Sequence, residues 1–447
     1  MVAVMSFCGL CVLLLVGKWL RASMTLFQKL YLPSAVIGGI VGLLVLETCG
    51  DRVPDGWTAG WGMLPGFLIN IVFASLFLGK PLPKMRGMWR LAGPQVCYGQ
   101  IVAWGMYVVG LGVTGLFLTS FHVPMVFGNL LEIGFEGGHG TVGGLAETFA
   151  NVGWTEGKDL GLAVATAGMI LGIVLGMAMI NWAVRRGYVQ NIRTFNDQTS
   201  LERRGLYAPE QQPPAGKQTV FADSLDSLAL HLAVVGMAIL VGFGLKQAML
   251  ALNPLLPQNV QDLQILTGFP LFPLCMLGGL VVQIFLQITR LDRFVDAGQM
   301  TRVCGASLDF LVVSAVASIQ LDFITANAVP LLVLIAAGTL WNVACVLFLA
   351  PRLFREAWFE RGIAEFGQSM GVTATGLLLL RTVDPESKTP ALEAFGSKQL
   401  FHEPIMGGGF WTSMAIPLVL TIGGWTVWWI SLGAVVFWVL VWKVAFR

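Results

Sequence analysis

Charged residues are scarce in this sequence. Only 12% of its 447 residues are Asp, Glu, Lys or Arg, which is about half the share found in soluble domains. The net charge of +2 gives no reason to expect a nucleic-acid partner. Hydrophobic residues make up 56% of the chain, more than a soluble fold could keep away from water. The composition therefore predicts an all-α, polytopic membrane protein whose solvent is lipid.

Histidine is also rare, and cysteine forms no metal-binding motif. The four His residues include no pair at HxxH or HxxxH spacing, which would bring two imidazoles to one metal on a helix. The seven Cys lie mostly inside apolar runs, and the CxxC formed by Cys8 and Cys11 has no second pair. Because no nucleophile or metal constellation is found, neither catalysis nor a cofactor is expected.

Apolar stretches recur at about the 20-residue length needed to cross the hydrocarbon core. In the first half they lie near 2–20, 31–49, 60–79, 93–119 and 160–184. In the second half they lie near 224–250, 269–289, 304–321, 326–350, 400–420 and 424–446. The last of these is predicted to be an extra C-terminal span.

Basic residues predict the orientation of the spans, because Lys and Arg accumulate on the cytoplasmic side. Val2–Val16 carries no charge, whereas Lys18, Arg21 and Lys29 follow it. The N-terminus is therefore predicted to lie outside and the end of the first span inside. The basic pair at 185–186 places the end of the fifth span inside as well. Continued alternation puts the C-terminus in the cytoplasm.

Two Gly-rich stretches do not fit as ordinary spans. The segment at about 123–150 contains seven Gly, and a full span here would move the basic pair at 185–186 to the outside. Non-helical backbone is tolerated at membrane depth only inside protein or beside a water-filled cavity. We therefore predict a re-entrant hairpin here, entering from outside, and a second at about 362–380, entering from the cytoplasmic side.

Three short motifs occur twice, in the same order. The pairs are LPSAVIGGIVG (32–42) with FPLCMLGGLVV (272–282), FLINIVFASL (67–76) with FLVVSAVASI (310–319), and TVGGL (141–145) with TATGL (373–377), at offsets of 240, 243 and 232. Such similar offsets indicate a duplicated unit. Because the first unit has an odd number of spans, the second is predicted to be inverted. The predicted parts are a first repeat at 1–184, a cytoplasmic linker at 185–223, a second repeat at 224–423 and the extra span at 424–447.

Inverted repeats with Gly-interrupted segments at corresponding positions are typical of secondary transporters. An interrupted helix leaves unpaired backbone N–H and C=O groups in the membrane interior. The N–H groups attract anions and the carbonyls attract cations. Two hairpins that meet from opposite faces are therefore predicted to form a site for an anionic solute and a coupling cation.

Two successive stretches resemble the bacterial sodium/glutamate symporter family: EGGHGTVGGLAETF at 136–149 and AVATAGMILGIVLGM at 163–177. In that family a Ser-Gly-Gly-His-Gly-Thr motif lies in the first re-entrant segment. MGVTATG at 370–376 and HEPIMGGGF at 402–410 resemble stretches of its second half. The resemblance covers nearly the whole chain. It implies Na⁺-coupled uptake of L-glutamate across the bacterial inner membrane, a homodimer surrounded by membrane lipid, and an elevator-like movement of a transport domain against a scaffold.

The sequence departs from the family pattern at two places. Glu136 stands where the family has Ser, and the Pro of the second Thr-rich stretch is absent, with Ala374 near its place. The cargo is therefore left open between an acidic amino acid and a dicarboxylate, a 2-hydroxycarboxylate or a different amino acid. A channel or an integral membrane enzyme is the remaining alternative, and an enzyme would need the missing catalytic constellation.

The candidate binding residues cluster at the two hairpins. Glycines let backbone amides approach a carboxylate, although they also serve close helix packing. Threonine hydroxyls suit Na⁺, a hard ion that prefers oxygen, and they also cap helices. A carboxylate at membrane depth is a functional candidate by default. The candidate substrate- and ion-binding residues are Glu136, Gly137, Gly138, His139, Gly140, Thr141, Gly371, Thr373 and Thr375.

Weaker candidates lie outside the tips of the two hairpins, which are the segments 137–141 and 371–375. Asn70, Ser75 and Ser318 belong to the repeated third and eighth spans. Arg381 follows the second hairpin, where it either binds a carboxylate or marks the cytoplasmic interface. His139 either hydrogen-bonds the substrate or orders the first hairpin. No residues are assigned to Na⁺, the only ion that the resemblance implies.

Overall fold

Every regular element of this chain that the structure describes is helical. The computed structural model describes residues 2–29, 32–49, 53, 57–58, 60–61, 63–80, 85–189, 199–255, 270–319, 321–384 and 388–447, and none of them lies in a strand. The predicted all-α class is confirmed. Residues 190–198 of the predicted linker, and positions 31, 62, 269 and 320 of predicted spans, lie outside the described residues.

The helices are numbered along the chain. In the first half they are α1 (Val2–Ser23), α2 (Thr25–Lys29), α3 (Ser34–Cys49), α4 (Leu64–Ser75), α5 (Met85–Val113), α6 (Leu130–Phe135), α7 (Gly138–Gly144), α8 (Ala146–Asn151) and α9 (Glu156–Arg185). They continue as α10 (Ser200–Arg204), α11 (Ser227–Leu252), α12 (Phe272–Thr289), α13 (Ala297–Ala317), α14 (Leu321–Ala326), α15 (Ala328–Ala344), α16 (Ala350–Leu353), α17 (Trp358–Val383), α18 (Ala391–His402), α19 (Phe410–Ile422) and α20 (Gly424–Ala445).

Nine helical stretches within the described residues are long and apolar enough to cross a bilayer. They are Val4–Ser23, Trp89–Phe121, Glu156–Arg185, Ser227–Leu255, Phe272–Thr289, Ala297–Ala317, Ala328–Leu353, Trp358–Val383 and Gly424–Ala445. Shorter apolar helices include α3, α4 and α19. These helices and the composition identify an integral membrane protein.

Some predicted spans are shorter than the sequence indicates. α3 has 16 residues, α4 has 12 and α19 has 13, against about 20 for a full crossing. The predicted span at 400–420 is divided, because α18 ends at His402 and α19 begins at Phe410. Pro404 and the glycines at 407–409 lie in this gap, and Gly407 and Gly408 have positive φ angles of 67° and 111°.

The helices pack as two bundles. Bundle A consists of α1, α3, α4, α11, α12 and α13: α1 packs on α3, α11 packs on α12, and both α3 and α4 pack on α13. Bundle B consists of α5–α9 and α15–α20, where α5 contacts α15, α18 and α20, and α9 contacts α6, α7 and α17. α7 lies at the boundary, against α4 and α13. Both Gly-rich regions predicted as hairpins therefore belong to bundle B.

The glycine pairs of the two repeated motifs serve helix packing in the same way. A Cβ on Gly38 would lie 2.3 Å from the Leu13 carbonyl oxygen of α1, and one on Gly278 would lie 2.1 Å from the Ala238 carbonyl oxygen of α11. The second glycine of each pair, at 39 and at 279, faces a helix of the opposite half, α13 or α4. The two halves thus exchange equivalent contacts inside bundle A.

The polar segment after the first half runs along bundle A. Lys18 Nζ, in the last part of α1, donates to the Gly205 carbonyl oxygen at 2.6 Å. Farther along, the Lys217 N–H donates to Asp296 Oδ1 at 3.0 Å, and Gln299 Nε2 donates to the Lys217 carbonyl oxygen at 2.8 Å. The segment therefore connects α1 with the start of α13, one helix from each half.

Candidate functional site

Two interrupted helices meet in the interior of bundle B. The first interruption lies between α6 and α7, where Gly138 has a φ of +66°. The second lies inside α17, where Gly371 and Val372 leave helical geometry and Val372 has φ 62° and ψ 170°. A Cβ added to Gly138 would lie 2.4 Å from Cγ1 of Val372. The two interruptions are therefore in direct contact, and the space at position 138 fits only glycine.

Two of the predicted threonines face the segment between α18 and α19. Thr141 donates its hydroxyl hydrogen to the Gly407 carbonyl oxygen at 3.2 Å, and Thr373 donates to Glu403 Oε1 at 3.2 Å. Both acceptors belong to HEPIMGGGF at 402–410. This segment therefore closes the site from a third side, next to both interruptions.

The glycines among the other predicted site residues lie close to neighbouring atoms, as the position of an added Cβ shows. A Cβ on Gly137 would lie 2.5 Å from the Ile133 carbonyl oxygen, and one on Gly371 would lie 2.9 Å from Thr375 Oγ1. Gly140 faces side chains of α4 and α13 in bundle A. The glycines at 137 and 371 thus line the interruptions, whereas Gly140 lies on the surface between the bundles.

His139 joins α7 to α9. Its Nε2 lies 2.9 Å from Thr166 Oγ1, and the Thr166 hydroxyl hydrogen goes to the Leu162 carbonyl oxygen at 3.0 Å. Nε2 of His139 is therefore the donor, and Oγ1 of Thr166 accepts. His139 therefore holds α7 against α9.

The weaker candidates lie apart from the helix interruptions. Asn70, Ser75 and Ser318 each donate to a backbone carbonyl of their own helix in bundle A. Ser318 also accepts a hydrogen bond from Lys158 Nζ at 3.2 Å, which connects α13 with α9. Arg381 is exposed. None of these hydrogen bonds reaches the two tips.

A buried carboxylate that the sequence analysis did not single out is Glu132 on α6, which is 0% exposed. It accepts hydrogen bonds from Tyr107 Oη at 2.5 Å, Thr412 Oγ1 at 2.9 Å and the Gly407 N–H at 2.9 Å. These donors come from α5, α19 and the segment before α19. Hydrogen bonds to a carboxylate favour its ionised form, so these three donors offset part of the cost of burying a negative charge here.

Glu136, one helical turn after Glu132, lies at the first interruption and is buried. Its Oε1 accepts hydrogen bonds from His402 Nε2 and, at 3.4 Å, from Gln368 Nε2. Its Oε2 is buried and has no hydrogen-bond partner among the described residues. The carboxylate therefore connects the end of α6 to α17 and α18, but only through one of its oxygens.

A buried ion pair lies beside this carboxylate. Lys398 Nζ is 2.5 Å from Glu365 Oε1, and both side chains are fully buried. Lys398 also donates to Gln368 Oε1 at 3.1 Å, and Gln95 Nε2 donates to Glu365 Oε2 at 2.9 Å. A Cβ on Gly99 of α5 would lie 2.5 Å from Glu365 Oε1, so glycine leaves room for the pair.

The sequence carried a signal for this cluster. Glu132 with Glu136 and Lys398 with His402 are each four residues apart, which puts each pair on one face of a helix. The segment before 400 was not recognised as a buried helix because it carries charges. The helical spacing of Lys398 and His402 indicates a helix with one polar face, although it does not show which residues that face meets.

Three side chains of the cluster have the spacing of metal ligands. Glu136, Glu365 and His402 each place a ligand atom within 4.8 Å of the others. The Lys398 ammonium already contacts Glu365, and a metal ion bound here would be repelled by it. The cluster therefore does not suit a divalent metal ion.

Comparison with known proteins agrees with this arrangement. The family model described as sodium/glutamate symporter matches residues 1–383. The chain belongs to the sodium/glutamate symporter family. The resemblance seen in the GGHGT motif is thereby confirmed, and the family is one of transporters rather than enzymes.

Individual relatives of this family are distant in sequence. A sodium/glutamate symporter from Escherichia coli (strain K12) and one from Shigella flexneri are each 22% identical over 420 residues, covering 92% of this chain and 94% of the relative. No solved structure matches the chain. The chain is therefore a divergent member of the family that extends over almost the full length of these relatives.

Proposed function

We propose that this protein is a secondary active transporter that couples the uptake of glutamate, or a similar acidic amino acid, to Na⁺. Membership of the sodium/glutamate symporter family carries this proposal, together with the printed names of the two relatives. The contact between Gly138 and Val372 supports it as well, since it brings two interrupted helices to one buried place, as in transporters whose binding sites are formed by discontinuous helices.

The charge balance of the site gives a physical reason for cation coupling. Lys398 is ion-paired with Glu365. The nearby carboxylates of Glu132 and Glu403 form no ion pair with a Lys or Arg among the described residues. An anionic substrate would enter against this excess of negative charge unless cations entered with it. Because binding linkage is reciprocal, a bound cation then raises the affinity for the substrate, and the substrate raises the affinity for the cation.

An amino acid fits these groups better than a dicarboxylate or a 2-hydroxycarboxylate. Glu403 lies beside Thr373 at the second interruption, and its Oε2 is buried without a hydrogen-bond partner among the described residues. A substrate ammonium would satisfy that oxygen, whereas a second carboxylate or a hydroxyl without positive charge would not offset its charge. The backbone N–H groups at the helix start after Val372 are the proposed partners of the substrate carboxylate.

The two bundles suggest how access alternates. We propose that bundle B moves against bundle A in an elevator-like manner, carrying both helix interruptions. Part of the contact between them is made by the glycines of α7, where added Cβ atoms at 140 and 144 would meet Ile69 and one at 143 would meet Pro65. A surface of small residues against apolar side chains allows sliding without breaking buried ion pairs. The equivalent glycine contacts within bundle A support the proposed inverted repeat.

The proposal of a symporter extends to the oligomeric state of the protein and to its orientation in the membrane. We propose a homodimer in the bacterial inner membrane with the N-terminus outside, in which bundle A supplies the fixed contacts. Exposed apolar side chains of α11, among them Met237, Leu240 and Phe243, support a lipid or protein contact on that side.

The decisive test is transport by the purified protein. Reconstituted vesicles are given labelled L-glutamate with an inward Na⁺ gradient, and matched vesicles receive choline instead of Na⁺. Accumulation that requires the Na⁺ gradient is expected. Uptake that is indifferent to Na⁺ would overturn the coupling. Competition by unlabelled aspartate, glutamine, malate and a 2-hydroxycarboxylate then ranks the cargo, and stronger competition by malate than by aspartate would overturn the amino-acid assignment.

A further inference from the structure

Glu136 is an internal carboxylate whose charge is not balanced by its contacts. Only 3% of its surface is exposed. Oε1 accepts from His402 and Gln368, whereas Oε2 is buried and has no hydrogen-bond partner among the described residues. An ionised carboxylate with one bare oxygen in the protein interior is strongly destabilised. The surrounding charges therefore decide in which form Glu136 exists.

His402 does not supply the balancing charge. Trp104 Nε1 donates to Gln100 Oε1 at 2.9 Å, which sets the orientation of the Gln100 amide. Gln100 Nε2 therefore faces His402 Nδ1 as a donor, at 3.2 Å, and Nδ1 accepts. His402 then carries its hydrogen on Nε2, is neutral, and donates that hydrogen to Glu136.

The other charged groups nearby are already engaged. Lys398 is held by Glu365 at 2.5 Å. Glu132, one helical turn before Glu136, accepts three hydrogen bonds that suit its ionised form. A second negative charge at Glu136 would face Glu132, and Lys398, the cation nearby, is already paired with Glu365. The titratable or charged groups around Glu136 are Tyr107 on α5, Glu132 on α6, Glu365 on α17, and Lys398, His402 and Glu403 at the end of α18.

Two cations could neutralise this carboxylate, a proton or Na⁺. Na⁺ needs several oxygen ligands, but the groups in contact with Glu136 Oε1 are the N–H groups of His402 and Gln368. A proton needs only the free oxygen, Oε2. The surroundings therefore favour a proton over a metal cation.

We propose that Glu136 binds a proton that is transported with the substrate, so that uptake is coupled to H⁺ in addition to Na⁺. The proton comes from the outside solution, forms an O–H bond at Oε2, and is released to the cytoplasmic solution after the carboxylate is exposed there. The conformation described here holds Glu136 as a neutral carboxylic acid. The transport step rests on the proposed function, whereas the protonation of Glu136 does not.

Proton movement can be measured with the unmodified protein. Vesicles containing a trapped pH-sensitive dye and a potassium-clamped membrane potential receive an inward Na⁺ gradient and glutamate. The lumen is expected to acidify in proportion to the glutamate taken up. Glutamate uptake without acidification would overturn H⁺ coupling while leaving Na⁺ symport intact. If no cargo of the competition panel is transported, the proposed function fails, and the protonation state is decided by the spectroscopic measurement.

The protonation state is read from infrared difference spectra of the purified protein as the pH is raised. A carbonyl band of a protonated carboxylic acid is expected, and Glu136→Gln should abolish it. Gln has the shape of the neutral acid and keeps the oxygen that accepts from His402, so this variant should fold. Glu132→Gln is the matched control, one turn away, and should leave the band in place.

The contrary outcomes are equally distinct. A band that persists in Glu136→Gln would assign the proton to another residue. A band that disappears when Na⁺ is added at constant pH would assign Glu136 to Na⁺ instead. Should Glu136→Gln fail to fold, His402→Gln in the full-length protein serves as the second variant. A band with an unchanged pH midpoint in that variant would overturn the proposed contact and with it the proton site.

Discussion

Val372 lies directly against Gly138 at the point where the two interrupted helices meet. The contact is close enough that a Cβ on Gly138 would be 2.4 Å from Val372 Cγ1. Both residues have positive φ angles, which is common for glycine and rare for a β-branched residue. The two interruptions therefore fit together because Gly138 has no side chain and the Val372 side chain fills the space that this leaves.

Gly138→Ala should abolish most transport. The positive φ alone costs an L-residue about 1–2 kcal/mol, and the new methyl group would also displace Val372. We expect the initial rate of glutamate uptake to fall by at least roughly tenfold, as 1.4 kcal/mol in the barrier would produce, with rates normalised to folded protein.

Gly153→Ala is the matched control for this variant. Gly153 has a φ of +75° but no atom within 4 Å of its added Cβ, so it carries the backbone cost without the contact. The double variant Gly138→Ala with Val372→Gly should recover part of the transport rate. Equal losses in the two alanine variants, without recovery in the double variant, would contradict a role for the contact.

Thr373→Val should reduce transport more than Thr373→Ser. Valine removes the hydroxyl that donates to Glu403 Oε1 at 3.2 Å, whereas serine keeps it. Leaving a buried acceptor without its donor costs about 1–3 kcal/mol, so uptake by the valine variant should fall by at least about fivefold. Thr421→Val is the control, because that hydroxyl donates to carbonyls of its own helix. Similar uptake by the valine and serine variants would show that the hydroxyl is not used.

Lys398→Met should destabilise the protein. The substitution leaves Glu365 buried without its cation, and breaking a buried pair from one side costs about 3–5 kcal/mol of unfolding free energy. The midpoint of thermal unfolding in detergent should fall accordingly. The double variant Lys398→Met with Glu365→Met should regain much of the loss, since paired apolar replacements are often tolerated. Lys443→Met, at an exposed position, should change little, and an equal effect there would contradict the ion-pair interpretation.

Asp296→Asn should lower stability at neutral pH but not in acid. Burial raises the pKa of Asp296, but hydrogen bonds from the N–H groups of Lys217, Gln299 and Gly298 outweigh this and hold the pKa below its ordinary value. A lowered carboxylate pKa stabilises the fold above the unfolded pKa, about 3.9, and the effect is lost as the pH falls through the folded pKa. The difference in unfolding midpoint between wild type and Asp296→Asn should therefore shrink in acid. If the difference in unfolding midpoint stays constant across pH, the loss of stability in Asp296→Asn comes from packing and not from the carboxylate charge.

The membrane class, the main spans and the positions of the helix interruptions followed from the sequence, because lipid requires long apolar runs and interruptions require residues such as Gly137, Gly138 and Gly371. The short helices α4 and α19 did not follow, since apolar residues continue past their ends into non-helical segments. Length of an apolar run alone does not show where a helix ends.

The buried charge cluster was out of reach for a different reason. Glu136 and His402 are 266 positions apart, and Glu365 and Lys398 are 33 apart. A single sequence gives no measure of which distant polar residues meet. The charges of α18 resembled those of an exposed loop, and only the three-dimensional packing shows that Lys398 pairs with Glu365 of α17 inside bundle B.

The C-terminal helix α20 has a consequence for the two ends of the chain. Gly424–Ala445 is long enough for one complete crossing and packs on α5 and α19. A crossing by α20, which we propose, would place Gly423 and Arg447 on opposite faces of the membrane. On that proposal, α20 sets the compartment in which a reporter protein or a regulatory extension fused to the C-terminus would be found.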